Sequence, residues 1–213
     1  MICELPPLRR EERRDEEKEM QIARELAAQV VAKGYDLKSS PDAYHKVFQW
    51  IGQYRAAAEN KTLTPPQKGL LLMGPPGRGK TYAARFISHF CQIQFWTMKR
   101  IDEEWGIDPE GCKQYFDNLF RDLYEPTIID DLGAESMTKH FNIAPVHEFL
   151  LPFIYDRWTT YHKLFIVTTN LTLYTKDADR SIEGMYGPRI KSRFLEMFDV
   201  VKFDGPDRRA IQK

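Results

Sequence analysis

The sequence predicts an α/β fold: a parallel sheet of five strands sandwiched by helices. Three observations carry this. Five short apolar runs alternate with segments of helical character, the pattern of a sheet buried on both faces. The first run, Gly69-Leu70-Leu71-Leu72-Met73, leads straight into Gly74-Pro75-Pro76-Gly77-Arg78-Gly79-Lys80-Thr81, which fits G-x-x-x-x-G-K-[ST] at every required position. Two later runs end in polar residues, Asp130-Asp131 and Thr168-Thr169-Asn170, and open α/β sheets gather their ligand groups at the C-terminal ends of strands.

Taken in order, the chain opens with a predicted helix from Leu8 to Lys33 in two parts. The charged half, RREERRDEEKE, sets opposite charges at helical spacing, such as Arg13 with Glu17 and Glu11 with Arg14. The second half carries Ile22, Ala23, Leu26, Ala27, Val30 and Val31 on one stripe, with Gly34 as the stop. This segment is either a solvated helix packed on its own domain or a handle for a partner protein. A second helix starts at Ser40 with Pro41 in its first turn, and Tyr44, Val47, Phe48 and Ile51 form its core face. Thr64-Pro65-Pro66 breaks the chain before the first strand. Residues 1–40 are therefore read as a helical extension and 41–213 as the main domain.

After the glycine-rich loop and its helix, Gln94-Phe95-Trp96-Thr97 is a strand candidate. The charged and aromatic region 99–124 contains a turn at Gly106 to Gly111 and a helix from Cys112 to Leu123. Thr127-Ile128-Ile129-Asp130-Asp131 is the next strand. A helix from about Pro145 to Tyr161 follows, with a kink or a broken start expected because Pro152 cannot bond the Glu148 carbonyl. Leu164–Thr168 and Val200–Phe203 complete the strands, and a short helix runs from Pro188 through Met197.

Bulk properties narrow the function classes. At 213 residues and 42% hydrophobic content, the chain can bury a full core. Its net charge is zero, so any nucleic-acid contact needs a local basic patch. Cys3, Cys91 and Cys112 stand far apart, which argues against a disulfide framework or a zinc site and suits a cytoplasmic protein. No apolar run approaches the roughly 18 residues of a membrane span, and no signal peptide is visible.

The chemistry is that of phosphate binding. Glycines let the loop fold into a nest of N–H groups, and the positive end of the following helix adds to it. Gly74, Pro75, Pro76, Gly77, Arg78, Gly79, Lys80, Thr81 and Tyr82 are thus assigned to a nucleotide, with Lys80 on the β- and γ-phosphates of ATP. Thr81 and Asp130 are the expected Mg²⁺ ligands, and Asp131 is placed to orient or deprotonate the attacking water. Asn170 can hold that water or touch the γ-phosphate, although asparagine also favours plain turns. Arg189 and Arg193, four apart, share a helix face opposite Ile190, Phe194 and Met197. Spacing alone fits a solvated basic face as well as an arginine finger.

GPPGRGKT, IIDDLGAE, VTTN and YGPRIKSRF, in this order, resemble the AAA+ ATPases of the bacterial helicase-loader group, which includes DnaC, DnaI and the transposition helper IstB. The resemblance spans about residues 41–209. It implies that Lys80 and Thr81 are the Walker A residues, Asp130 and Asp131 the Walker B pair, and Asn170 sensor 1. It also implies that Arg193 acts in trans on ATP held by the next protomer, with Arg189 as companion. Asp131 stands where many relatives carry glutamate, so slow hydrolysis is expected. No full lid is expected, and Arg208 or Arg209 is the candidate replacement for sensor 2.

The implied function is ATP-dependent delivery of a DnaB-like replicative helicase to single-stranded DNA by a self-associating loader. Lys99, Arg100 and Trp105 are candidate DNA contacts. The alternatives are an IstB-like helper on double-stranded DNA beside a transposase, a nucleotide-gated adaptor with little turnover, and, more distantly, a small-molecule kinase.

Overall fold

A computed structural model describes residues 21, 25, 28, 40–60, 63–119, 126–137 and 144–207. Apart from Gln21, Glu25 and Ala28, which are helical and exposed, the predicted helix from Leu8 to Lys33 lies outside the described residues. So do Gly34, Arg208 and Arg209. The chain forms two compact units, Met1–Pro66 and Gln67–Lys213, and the boundary expected at residue 40 falls within the first.

In the first unit, α1 (Pro41–Glu59) buries Tyr44, Val47, Phe48 and Ile51 as the period predicts, and Trp50 and Ala56 with them. Pro41 occupies the first turn. Ser40 sits at the N-cap, but its side chain makes no capping bond; its carbonyl accepts the Tyr44 N–H at 3.1 Å instead.

The second unit is built on five parallel strands, β1 (Gly69–Met73), β2 (Gln94–Thr97), β3 (Thr127–Leu132), β4 (Phe165–Thr169) and β5 (Phe198–Lys202), in the order β2-β3-β4-β1-β5. β1 and β4 are buried at every residue, because a central strand with helices over both faces has no solvent side. The edge strands β2 and β5 mix buried and exposed positions. Between them run α2 (Lys80–Cys91), α3 (Met98–Ile107), α4 (Pro109–Leu119), α5 (Val146–Tyr161), α6 (Ile182–Tyr186) and α7 (Pro188–Met197). The core joins Leu71, Trp96, Ile129, Val167 and Phe198 of the sheet to Ile101, Phe116, Leu150, Ile154 and Phe194 of the helices.

Four expectations need correction. The expected turn over 106–111 shrinks to the neighbourhood of Asp108, which joins two helices. Thr97 caps α3 by accepting the Arg100 N–H at 3.2 Å, while Met98, Ile101 and Trp105 form its buried stripe. Asp108 Oδ1 accepts the Gly111 N–H at 2.9 Å, so α4 begins at Pro109 rather than Cys112. The broken start expected from Pro152 is not formed: α5 is continuous from Val146 to Tyr161 with Pro152 inside it, and the Glu148 N–H donates to the Pro145 carbonyl at 3.1 Å. Ile190 is only half-buried, whereas Phe194 and Met197 are fully inside.

Candidate nucleotide site

The site forms where β1, β3 and β4 end together. After β1 the chain turns through Gly74, Gly77 and Gly79, with φ of 146°, 77° and 98°, a region glycine enters at no steric cost. A Cβ at Gly77 would stand 1.9 Å from Asp207 Oδ1, a contact that the exposed Asp207 side chain would have to swing away to relieve. The turn delivers Lys80 at the start of α2, where its side chain is buried. The ammonium donates to the Gly74 and Pro75 carbonyls at 2.7 and 2.9 Å and to Asn170 Oδ1 at 2.8 Å. Asn170 passes the contact on, its Nδ2 donating to Asp131 Oδ1 at 2.9 Å. Only one amide orientation satisfies a cation on one side and a carboxylate on the other.

Two consecutive acids on a regular strand would face opposite sides of the sheet. Here the β3–β4 register slips between Ile129 and Leu132, and Asp131 adopts φ 64°, so the strand is irregular where the two acids lie. Thr168 holds the arrangement: its Oγ1 donates to Asp130 Oδ1 at 2.6 Å and accepts the Asp131 N–H at 2.8 Å. Asp130 is buried, and desolvation raises its carboxyl above the usual aspartate range. Hydrogen bonds from Thr168 and Thr81 oppose that rise, the Asp131 charge adds to it and Arg85 opposes it.

The Thr81 hydroxyl and the Asp130 carboxylate are thus adjacent. Hard oxygens in that number suit Mg²⁺, which takes one or two protein ligands and completes its shell with water and phosphate. Among the described residues there is no group of three His, Cys, Asp or Glu that would hold a metal by protein ligands alone.

Pro76, Gly77, Gly79, Lys80, Thr81, Tyr82, Arg85, Asp131 and Asn170 line a cleft of about 340 Å³. Gly74 and Pro75 serve it through the carbonyls that hold Lys80. Arg78 does not line it, and its Nε is buried without a hydrogen-bond partner. Arg193 does not line it either. Its guanidinium lies 4.4 Å over the ring of Tyr155, whose hydroxyl donates to Glu196 at 3.0 Å, while Arg189 on the same face is exposed. Arg85 was missed by sequence reasoning, although it stands four residues after Thr81 on α2 and so shares its face.

Of the candidate DNA contacts, Trp105 lies in the core, while Lys99 and Arg100 are on the surface. Trp105 is buried, stacked on Phe149 at 5.2 Å and bonded to the Ala144 carbonyl, so it offers no face to a base. Arg100 pairs with Glu104 and lies over Trp96, and Lys99 stands 3.8 Å from Glu103. No described helix is long and apolar enough to cross a membrane.

Comparison with known proteins adds the following. Residues 70–187 match the family described as ATPase family associated with various cellular activities (AAA). No curated protein matches the chain. Among solved structures, DnaI overlays 80% of this chain and 88% of its own at a TM-score of 0.55 and 19% identity. A candidate primosome component from Streptococcus pyogenes serotype M3 overlays 82% and 85% at 0.52 and 17% identity. The DnaC helicase loader overlays 76% and 90% at 0.49 and 21% identity. At such identities the likeness is one of fold.

Proposed function

The chain belongs to the AAA family of ATPases, and from that membership we propose that it binds ATP with Mg²⁺ in the cleft, hydrolyses it, and serves as a loader of a replicative helicase on single-stranded DNA. The observation that carries the ATPase reading is the series Lys80–Asn170–Asp131 beside the adjacent Thr81 and Asp130. It joins a cation for the phosphates, an amide, and a carboxylate for the water. Lys80 stabilises charge on the β- and γ-phosphates, and the loop N–H groups cradle them. Asn170 keeps Asp131 turned toward the attacking water, whose proton Asp131 accepts. Thr81 and Asp130 would hold Mg²⁺, which would supply positive charge against the phosphates.

Arg193, with Arg189 beside it, completes the site of a neighbouring protomer in a nucleotide-dependent oligomer. The half-exposed position of Arg193 on a short helix supports this reading. The loader reading is supported by the four motifs in their order, DDLGAE above all. In this reading the charged half of residues 1–40 is a candidate handle for the partner, and 41–213 is the ATP-binding domain. Phosphate release with and without single-stranded DNA tests the enzyme: a Lys80→Ala chain that binds ATP as tightly as the parent would remove the lysine from its role. Co-purification tests the partner, since capture of a hexameric helicase supports the loader and capture of a transposase replaces it.

A further inference from the structure

The reaction leaves one buried carboxylate unused. Glu135, the last residue of DDLGAE, is 5% exposed, and no cation lies within ion-pair distance of it among the described residues. Its Oε2 accepts the Gly133 N–H at 2.8 Å, and its Oε1 accepts the Tyr186 hydroxyl at 2.5 Å. Burying a carboxylate is costly, so a site that needed only packing would carry a neutral side chain. Burial and the Glu135 charge push the Tyr186 phenol above its ordinary range, which keeps it a donor at any working pH. The His147 ring packs beside it at 5.3 Å.

The two ends of this bond stand at places that matter to catalysis. Gly133 belongs to the tight turn after Asp131, closed by a 3.1 Å bond from the Ala134 N–H to the Asp131 carbonyl. Tyr186 is the last residue of α6, and Gly187, at φ 86°, turns the chain directly into α7 with Arg189 and Arg193. The start of α6 is tied to the end of β4 as well: the Ile182 N–H donates to the Thr172 carbonyl at 2.8 Å, just beyond Asn170. One short helix thus touches the strand ends bearing Asp131 and Asn170 and runs into the arginine helix.

We propose that Glu135 is a positioning residue whose bond to Tyr186 locks the arginine helix α7 to the nucleotide-facing end of β3, so that each protomer presents Arg193 to its neighbour in one pose. This rests on the trans role of Arg193 proposed above. The test mixes Asp131→Asn chains, which keep their arginines but cannot activate water, with Arg193→Ala chains, which keep an intact site but donate no arginine. Restored phosphate release then reports donation by the Asp131→Asn chain.

Adding Tyr186→Phe to that donor is expected to cut the release about tenfold, the size of losing one hydrogen bond to a carboxylate. The same change in the Arg193→Ala acceptor should leave release within about twofold, as for a site outside the donated contact. Equal losses in both arms, or no loss in the donor arm, overturn the proposal. Glu135→Ala in the donor should fall as far, with no further loss on adding Tyr186→Phe; additive losses also overturn it. A parent mixture without restored release overturns the trans reading and the lock with it, whereas restored release that ignores Tyr186 overturns the lock alone.

Discussion

Thr168 does at one hydroxyl what the site needs twice: it donates to Asp130 and accepts from the Asp131 backbone. Thr168→Val keeps the shape and removes both bonds, leaving a buried carboxylate short of a donor. Unfolding in urea should show a loss of about 2–3 kcal/mol, within the range for an unsatisfied charged group, and phosphate release should fall with it. Asp130 makes the opposite case. Burial raises its carboxyl, so the folded chain holds that proton more tightly than the unfolded chain does. Its ionisation therefore costs stability above the raised value, and the cost disappears as pH falls toward the ordinary aspartate value. Asp130→Asn should stabilise the fold by about 1 kcal/mol at neutral pH and abolish Mg²⁺-dependent hydrolysis. The gain should shrink as melts are run at lower pH through that window; a gain independent of pH would contradict the cause given. Lys80, Thr81 and Asp130 could be read from spacing because a short linear motif carries them. Arg85 was within reach of the same spacing, four residues after Thr81; Glu135 was not, since its partner Tyr186 is distant in the chain.

Among the elements, β1 is buried at every residue and paired on both sides, with Leu71 fully buried between β4 and β5. Leu71→Ala should cost about 2–5 kcal/mol by transfer and cavity terms, read as a lower urea midpoint with little change in slope. Exposed Leu195 should tolerate the same change within about 0.5 kcal/mol. The three central strands were legible as apolar runs because burial on both faces removes any alternation. α3 was not, since its Met98, Ile101, Trp105 stripe sits in a charged stretch that ends in Gly106. The β3 bulge was invisible for a different reason: a register slip is a relation between two strands, and neither Ile129 nor Thr169 encodes it alone.

For the whole molecule, ligand binding should appear as stability. A non-hydrolysable ATP analogue with Mg²⁺ at about 100 times its dissociation constant should stabilise the fold by about 2.7 kcal/mol. A chelator should remove much of that gain if Thr81 and Asp130 hold Mg²⁺ as proposed. A thermal melt with analogue, with and without chelator, checks both arms. The amino-acid order alone determined the strand count, the glycine-rich loop and the acids at the C-terminal end of a central strand, because those features depend on neighbours in sequence and on burial. Only the tertiary structure decided that Asn170 stands between Lys80 and Asp131, that Trp105 is core rather than surface, and that Glu135 reaches Tyr186. The physical reason is that hydrogen bonds and desolvation act between groups brought close by folding, over separations that local periodicity does not record.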